Sequence, residues 1–456
     1  MRQEFVPSND EIYGWIAEIF AQGVRRPAYP ADQWAEQYCL ERFRSLGMEN
    51  VRAEPVEVPY WEPRDWSLTA WSDGAGSSKK LELDCFPLPH SAPTAGLEGR
   101  LMCYDPDAPE TVKGNISLHS IALMRIPHSF FTGLASWHYD PENTFADSWQ
   151  VVPFPPERQE MMDPPVAAGA LGFVGALTDY PSDSHEYYVP YHGVAQPIPG
   201  VWIRGSDGIR LAEMLAAGPV HARLKVDSVC RTAICNNIVG ELPGPDDELV
   251  IIGSHHDAPW ASAVEDTSGV ALALAQAEYW SRVPKEERPH SMLFVLHAGH
   301  MVHSAGAIEF IKTHQADAAR TVLEVHLEHA ALECTEDDGQ LKPTGHPEAR
   351  WWFVSRIPQL EASVREAIET EELTRSLILP PTVFGEYPPT DGARFFQAGV
   401  PLVSFLAAPF YLFDSQDTMD KIDRQHLAAI TRAAIRIVES SRGVTAKAMR
   451  ERVQTS

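Results

Sequence analysis

From Cys230 onward, apolar runs of β-forming residues alternate with segments of helical periodicity, and this alternation restricts the fold more than any other feature of the sequence. The runs are ELVIIGS, SMLFVLH, TVLEVHL and PLVSFLA. Helical stretches lie from Ser268 to Ser281 and from Ser304 to Thr313, and an amphipathic segment from Ile422 to Ser440 closes the chain. Strands of this buried type, separated by helices, pack as a mixed, largely parallel sheet flanked by helices, an α/β architecture. Ligands of such sheets bind beyond the carboxyl ends of the strands. That rule picks out three clusters: His255, His256 and Asp257 after the first run, His297, His300 and His303 after the second, and His326, Glu328 and His329 after the third.

The upstream sequence has a different texture. SNDE, from Ser8 to Glu11, is a capping box followed by Ile12, Trp15, Ile16, Ile19 and Phe20 at helical spacing. A second helix is predicted from Ala31 to Leu46, stopped by Gly47, and an extended VRAEPVEVPYW follows. Residues 65–226 then carry short β-like runs, many prolines and loops such as YPSDSHEYYVPYHG, so they read as a strand-rich module set between 1–64 and 227–456. At 456 residues the chain exceeds one ordinary domain, which agrees with an insertion.

Sixty-three acidic residues against 37 basic ones, a formal charge of -26, exclude nucleic acid and anionic membrane surfaces as expected partners. No run is apolar for long enough to span a bilayer, and the first twenty residues lack a secretory pattern, so cytoplasmic residence is expected. The six cysteines are scattered without zinc-finger spacing and read mostly as buried thiols. The expected partner is a small-molecule or peptide-like substrate, and both a monomer and a homo-oligomer are compatible with the pattern.

The stretch VIIGSHHDAPWASAVEDTSGVALALAQ joins the first strand to its helix through a loop rich in His and acids. Imidazole and carboxylate are the ligands of zinc, manganese and iron. Asp257, two residues after His255 on the same face of an extended segment, is placed to orient the His255 ring. Glu265 and Asp266 precede the helix, where an acid serves as a ligand or as an N-cap. His255, Glu265 and Glu328 are therefore the candidate trio for a functional pocket. His297 and His303 of HAGHMVH read as packing or supporting residues, because this stretch lacks the Glu of the helical HExxH motif.

The order of IIGSHHDAPWASAVEDTSGVALALAQA, SMLFVLHAGHMVHSAGAIEFI, TVLEVHLEHAAL, PPTDGARFFQAGVPLVSF and SQDTMDKID resembles the di-zinc aminopeptidases that include glutamate carboxypeptidase-like enzymes. The likeness covers Cys230 to the C-terminus and the first two helices. Residues 65–226, through AAGALGFVGAL and PGVWIRGSDGIRLAEML, resemble the protease-associated domain that many of these enzymes insert. The resemblance implies a zinc-aminopeptidase-like catalytic domain built from 1–64 and 227–456. It also implies that His255, Glu265 and Glu328 are ligands, and it matches Asp257 to the Asp of the His-x-Asp motif. Where the family carries two adjacent glutamates, a general base and a ligand, this chain has His300 and Met301. Where the family carries the last ligand histidine, this chain has Phe413. One metal site of the pair is thereby lost, and one divalent ion per chain, zinc, manganese or iron, is expected. His300 is then the candidate acid or base, or an additional ligand, as is Asp266. The segment FGEYPPTDGARFF corresponds to a family loop that lines the pocket, which points Tyr387, Asp391 and Arg394 at the substrate; Trp260, Met301 and Phe413 extend the apolar wall.

The function expected from these residues is a mononuclear metal-dependent hydrolase of a small amide or related C–N bond, not a general peptidase. The alternatives are a mononuclear iron or manganese enzyme of other chemistry, a non-catalytic binding protein, and a conventional dinuclear aminopeptidase.

Overall fold

The computed structural model describes residues 1–72, 80–155, 160–338 and 340–452. The four apolar runs form strands Leu249–His255, Ser291–His297, Thr321–Leu327 and Leu402–Ala407, and the first, third and fourth are buried along their whole length. They lie parallel in the spatial order Ser291–His297, Leu249–His255, Thr321–Leu327, Leu402–Ala407. Arg350–Val354 and Val220–Leu242 add antiparallel neighbours on either side, which makes the sheet mixed. Register places His255 opposite His297 and Gly253 opposite His326, so the three His-rich strand ends open at one edge of the sheet.

Helices cover this sheet. Asn9–Phe20 starts at the capping box of Ser8 and Glu11 and packs on Gly269–Arg282 and Leu427–Glu439. The closing helix begins at Leu427, five residues later than its periodicity suggests, because Asp423 is tied by a buried 2.6 Å ion pair to Arg350 and the chain around it turns instead of coiling. Among the described residues, no helix is long and apolar enough to cross a membrane.

The segment between the two parts of the main sheet is less separate than its texture suggests. Its strands Thr94–Cys103, Ile116–Ala122, Gly172–Thr178 and Gly200–Arg204 form a parallel layer, and Leu68, Leu101, Ile116, Val174 and Leu224 belong to a core of its own. Helix Gly205–Ala217 lies close on this layer: a Cβ at Gly208 would stand 2.4 Å from that of Ala176, a distance only glycine permits. The two arms that connect the layers, Glu49–Ser72 and Val220–Leu242, are long antiparallel strands, and the expected boundaries at 65 and 226 fall in mid-strand, beside the register shift between Pro63 and Asp65.

Residues 125–155 depart from this second layer altogether. Trp137–Tyr139 pairs with Ser376–Leu379 at the far edge of the main sheet, and Phe131 and Phe145 are buried with Trp351, Leu377 and Leu406. An edge strand leaves a row of backbone donors and acceptors without partners, and this strap covers it.

Candidate metal centre

His255 ends its strand with its ring fully buried. Nδ1 lies 3.0 Å from the Asp257 carbonyl, which can only accept, so Nδ1 carries the proton and Nε2 is left as a bare lone pair. His329 repeats the arrangement, its Nδ1 donating to the Ala407 carbonyl at 2.8 Å. His300 does so with a carboxylate, its Nδ1 donating to Asp391 Oδ1 at 2.8 Å. Three imidazoles from three strand ends are thus each pinned through Nδ1.

The free edges of all three meet at Glu265. Its Oε1 is 3.5 Å from His255 Nε2 and 4.0 Å from His300 Nε2, and its Oε2 is 2.6 Å from His329 Nε2. The His255 and His300 rings stack face to face with centroids 4.0 Å apart, which brings their Nε2 atoms to the same side of the carboxylate. His255 Nε2, Glu265 Oε1 and His329 Nε2 are buried atoms without a hydrogen-bond partner among the described residues. The contact of His329 with Glu265 is short but out of line for a hydrogen bond. Unpartnered buried polar atoms are costly and rare, and a cation shared between them removes the cost.

The donor set fits a divalent ion. His255, Glu265 and His300 offer ligand atoms within 4.8 Å of one another, as do His255, Asp266 and His329. Donors at about 2.1 Å on one tetrahedral ion stand about 3.4 Å apart, close to the His255–Glu265 separation. Glu265 is the freer of the two acids. Asp266 accepts from Ser254 Oγ at 2.6 Å and from the Gly269 amide at 3.1 Å, so it closes the strand and starts the helix. Burial, with help from His300, holds the His255 ring well below the ordinary histidine range and hence neutral. Burial opposes a charged His329, but Glu265 outweighs it and raises the ring to about 10. A cation on the same atoms competes with that proton, so metal affinity at this centre falls with falling pH.

Several positions differ from the sequence reading. The Asp257 carboxylate does not touch the His255 ring; it accepts the amides of His300 and Met301 at 2.9 and 2.8 Å, and only its main-chain oxygen orients His255. Glu328 lies 3.1 Å from His326 Nε2 and accepts the Asp391 amide at 3.3 Å, and it belongs to neither group of donors within 4.8 Å of one another. Its place beside Glu265 is taken by His329. Asp391 is fully buried behind His300 and presents nothing to a substrate. Trp260 packs between Phe86 and Arg26 and donates to the Phe413 carbonyl at 3.0 Å, so it is a core residue and no pocket wall. Met301 and Phe413 are buried and apolar, with the Phe413 ring on Tyr191 and Tyr191 stacked in turn on His300. Tyr387 is exposed and carries the Arg394 guanidinium over its ring at 5.6 Å, while Arg394 also bonds Gln397.

Two supporting residues are not singled out by the sequence, although Asp417 falls within SQDTMDKID. The buried Arg25 donates from Nε to the His256 carbonyl at 3.2 Å, from Nη1 to that of Ala261, and from Nη2 to those of Ser262 and Glu265 at 3.2 and 3.3 Å. One guanidinium from the N-terminal segment therefore ties down the whole loop between His255 and Glu265. From the other side Asp417 accepts the amides of Val264 and Glu265 at 2.8 and 2.9 Å.

Comparison with known proteins adds a lineage to this geometry. The model of peptidase family M28 matches residues 237–438. The comparison with curated proteins gives no match. Among solved structures, a peptidase M28 precursor from Shewanella amazonensis superposes with a TM-score of 0.72 at 20% identity, covering 94% of this chain and 92% of its own. The zinc aminopeptidase of Bacillus subtilis gives 0.67 at 17% identity over 94% and 95%, and the aminopeptidase of an Aneurinibacillus strain 0.65 at 17% over 97% and 95%. At such identities these likenesses speak for the fold. Residues 237–438 thus match the model of peptidase family M28, a match that supports a metal-dependent hydrolase, within a chain that shares the fold of these aminopeptidases.

Proposed function

We propose that this chain hydrolyses an amide or related C–N bond with a single divalent ion held by His255, Glu265 and His300, with His329 closing the set. The observation that carries the proposal is the convergence of three Nδ1-anchored imidazoles on one carboxylate. Met301 and Phe413, buried and apolar, occupy the positions where the resemblance places ligands of a second ion, and neither side chain serves zinc there. An ion in this set supplies Lewis acidity and an acidified water.

The chain's own residues do the rest. His300 is the most exposed member, with 13% of its side chain accessible, so substrate and water reach the centre past its ring. Asp391 holds that ring in orientation, and Asp257 fixes the turn that carries it through the amides of His300 and Met301. Arg25 and Asp417 hold the Glu265 loop from opposite sides. The substrate class is a small amide or peptide-like molecule.

Elemental analysis of protein purified without chelator tests this reading, with His255→Ala as control. One equivalent that the control loses is expected; none under any loading condition refutes the proposal, and two would favour a dinuclear aminopeptidase. A second reading rests on the same atoms, since two histidines and one carboxylate are also the donors of mononuclear iron and manganese enzymes. The identity of the bound metal, read in the same analysis, decides between them.

A further inference from the structure

A cavity of about 780 Å³ shares no lining residue with the metal centre. It opens between two antiparallel ribbons: Arg125–Pro127 with Trp149–Val151, carried on the strap, and Leu332–Asp337 with Gln340–Pro347 of the main domain. Trp149 and Phe410 line it with aromatic rings, and Glu333, Glu336 and Glu348 with carboxylates. Among the described residues, Arg125 is the one basic side chain on that lining. Three carboxylates against one guanidinium favour a cationic guest.

Glu348 gives that preference a place. Only 5% of the residue is exposed, and it stands on the lining. Among the described residues its carboxyl takes one hydrogen bond, from the Ala349 amide at 3.0 Å, and no ion pair. Arg375, the cation that bears on it, is committed elsewhere, with Nη2 2.9 Å from Glu333 Oε1 and Nη1 donating to Thr144 Oγ1 at 3.1 Å. A buried carboxylate without a counter-ion is costly, and burial together with Glu333 raises this one to about 7. A cation brought in from outside removes that cost.

The lining also narrows the kind of cation. Among the described residues, Glu333, Glu336 and Glu348 belong to no group whose donors lie within 4.8 Å of one another, so they do not converge on a bare metal ion. A cavity of this size takes a small molecule. Aromatic faces attract organic cations, Trp most strongly, and Trp149 is 58% exposed.

We propose that this cavity binds a small amine in its ammonium form, with the charged head on Glu348 and an apolar body against Trp149 and Phe410. The site is independent of the metal centre. The strap thereby builds a binding site as well as covering the sheet edge.

The test is calorimetric titration of the full chain at pH 8 with phenethylammonium, its neutral counterpart 2-phenylethanol, and 3-phenylpropanoate. Phenethylammonium is expected to bind at one equivalent, the alcohol roughly tenfold or more weakly, and the carboxylate not at all. Glu348→Gln, which keeps the shape and removes the charge, is expected to weaken phenethylammonium by about the same factor. Trp149→Ala, at an exposed position where folding is not at stake, is expected to weaken it roughly two- to fivefold. Binding is expected to persist after treatment with a chelator. Loss of binding on chelation places the amine at the metal centre and overturns the proposal. So do an absence of binding, an alcohol that binds as tightly as the ammonium, and either variant binding like the wild type.

Discussion

Asp391 Oδ1 accepts a 2.8 Å hydrogen bond from His300 Nδ1 across a gap of 91 residues in the chain. The pair fixes which nitrogen of His300 faces Glu265. Burial works against a charged carboxylate at Asp391, yet His300 more than offsets it and holds the acid well below the ordinary range. Asp391→Asn replaces an obligate acceptor with a group that can donate to Nδ1, which would move the ring proton to Nε2 and remove the lone pair from the centre. Metal affinity is expected to fall roughly 10- to 100-fold with the fold intact, as read by competition with a chelator. Unchanged affinity would show that Asp391 does not set the tautomer.

Glu328 and His329 are adjacent in sequence but meet different partners, His326 and Glu265, which separates a ligand from a supporting residue by mutation. Glu328→Gln keeps the shape and leaves the Glu265 cluster in place, so close to one equivalent of metal should remain. His329→Ala removes an Nε2 that faces Glu265 and should lower metal affinity at least tenfold. The reverse order in a metal titration would return the ligand role to Glu328.

Arg25 is bonded to four carbonyls of the loop that carries Glu265. Arg25→Met leaves those buried acceptors unpaired, at about 3 kcal/mol of unfolding free energy in a urea titration. Metal affinity should drop by tenfold or more in the same variant, because the loop no longer holds Glu265 in register. A loss of stability without a loss of affinity would confine Arg25 to the fold.

Glu348 is buried, and its carboxyl accepts the Ala349 amide at 3.0 Å. Burial first, and the nearby Glu333 next, raise its carboxyl from 4.5 to about 7, against the pull of Arg375. Between those values the folded chain keeps a proton that the unfolded chain has released, so stability falls as pH rises. The contribution is complete below pH 4.5 and lost above pH 7. Glu348→Gln should remove this slope and make the protein more stable than wild type at pH 8 by on the order of 2 kcal/mol. Denaturant curves at pH 5 and pH 8 measure it, and equal slopes in both proteins would contradict the assignment.

Much of the candidate site was legible because its carriers are local signals. Strands Leu249–His255, Ser291–His297 and Thr321–Leu327 announce themselves by continuous apolar character, and the residues just past their ends follow by position alone. His255, Glu265 and His300 could be named in this way. Position alone puts Glu328 and Asp257 in the right loops but not on their partners, the Asp391 amide and the Met301 amide, since a strand's end sets where a residue sits and its neighbours set what its side chain bonds. The docking of residues 125–155 outside the rest of the 65–226 module escapes the sequence for a related reason. Its pairing partner, Ser376–Leu379, lies over 200 residues away, and nothing in its own composition distinguishes docking on one sheet from docking on the other.

The sequence by itself determined the α/β architecture, the largely parallel sheet and the edge at which a ligand would bind, because hydrophobic period and the order of strands and helices are properties of consecutive residues. Only the tertiary structure decided that three imidazoles share one carboxylate, that Asp391 stands behind His300, and that Arg25 clamps a loop more than 200 residues downstream. Those choices depend on which buried polar group finds a partner across the packed chain, and that competition is settled in space rather than along the sequence.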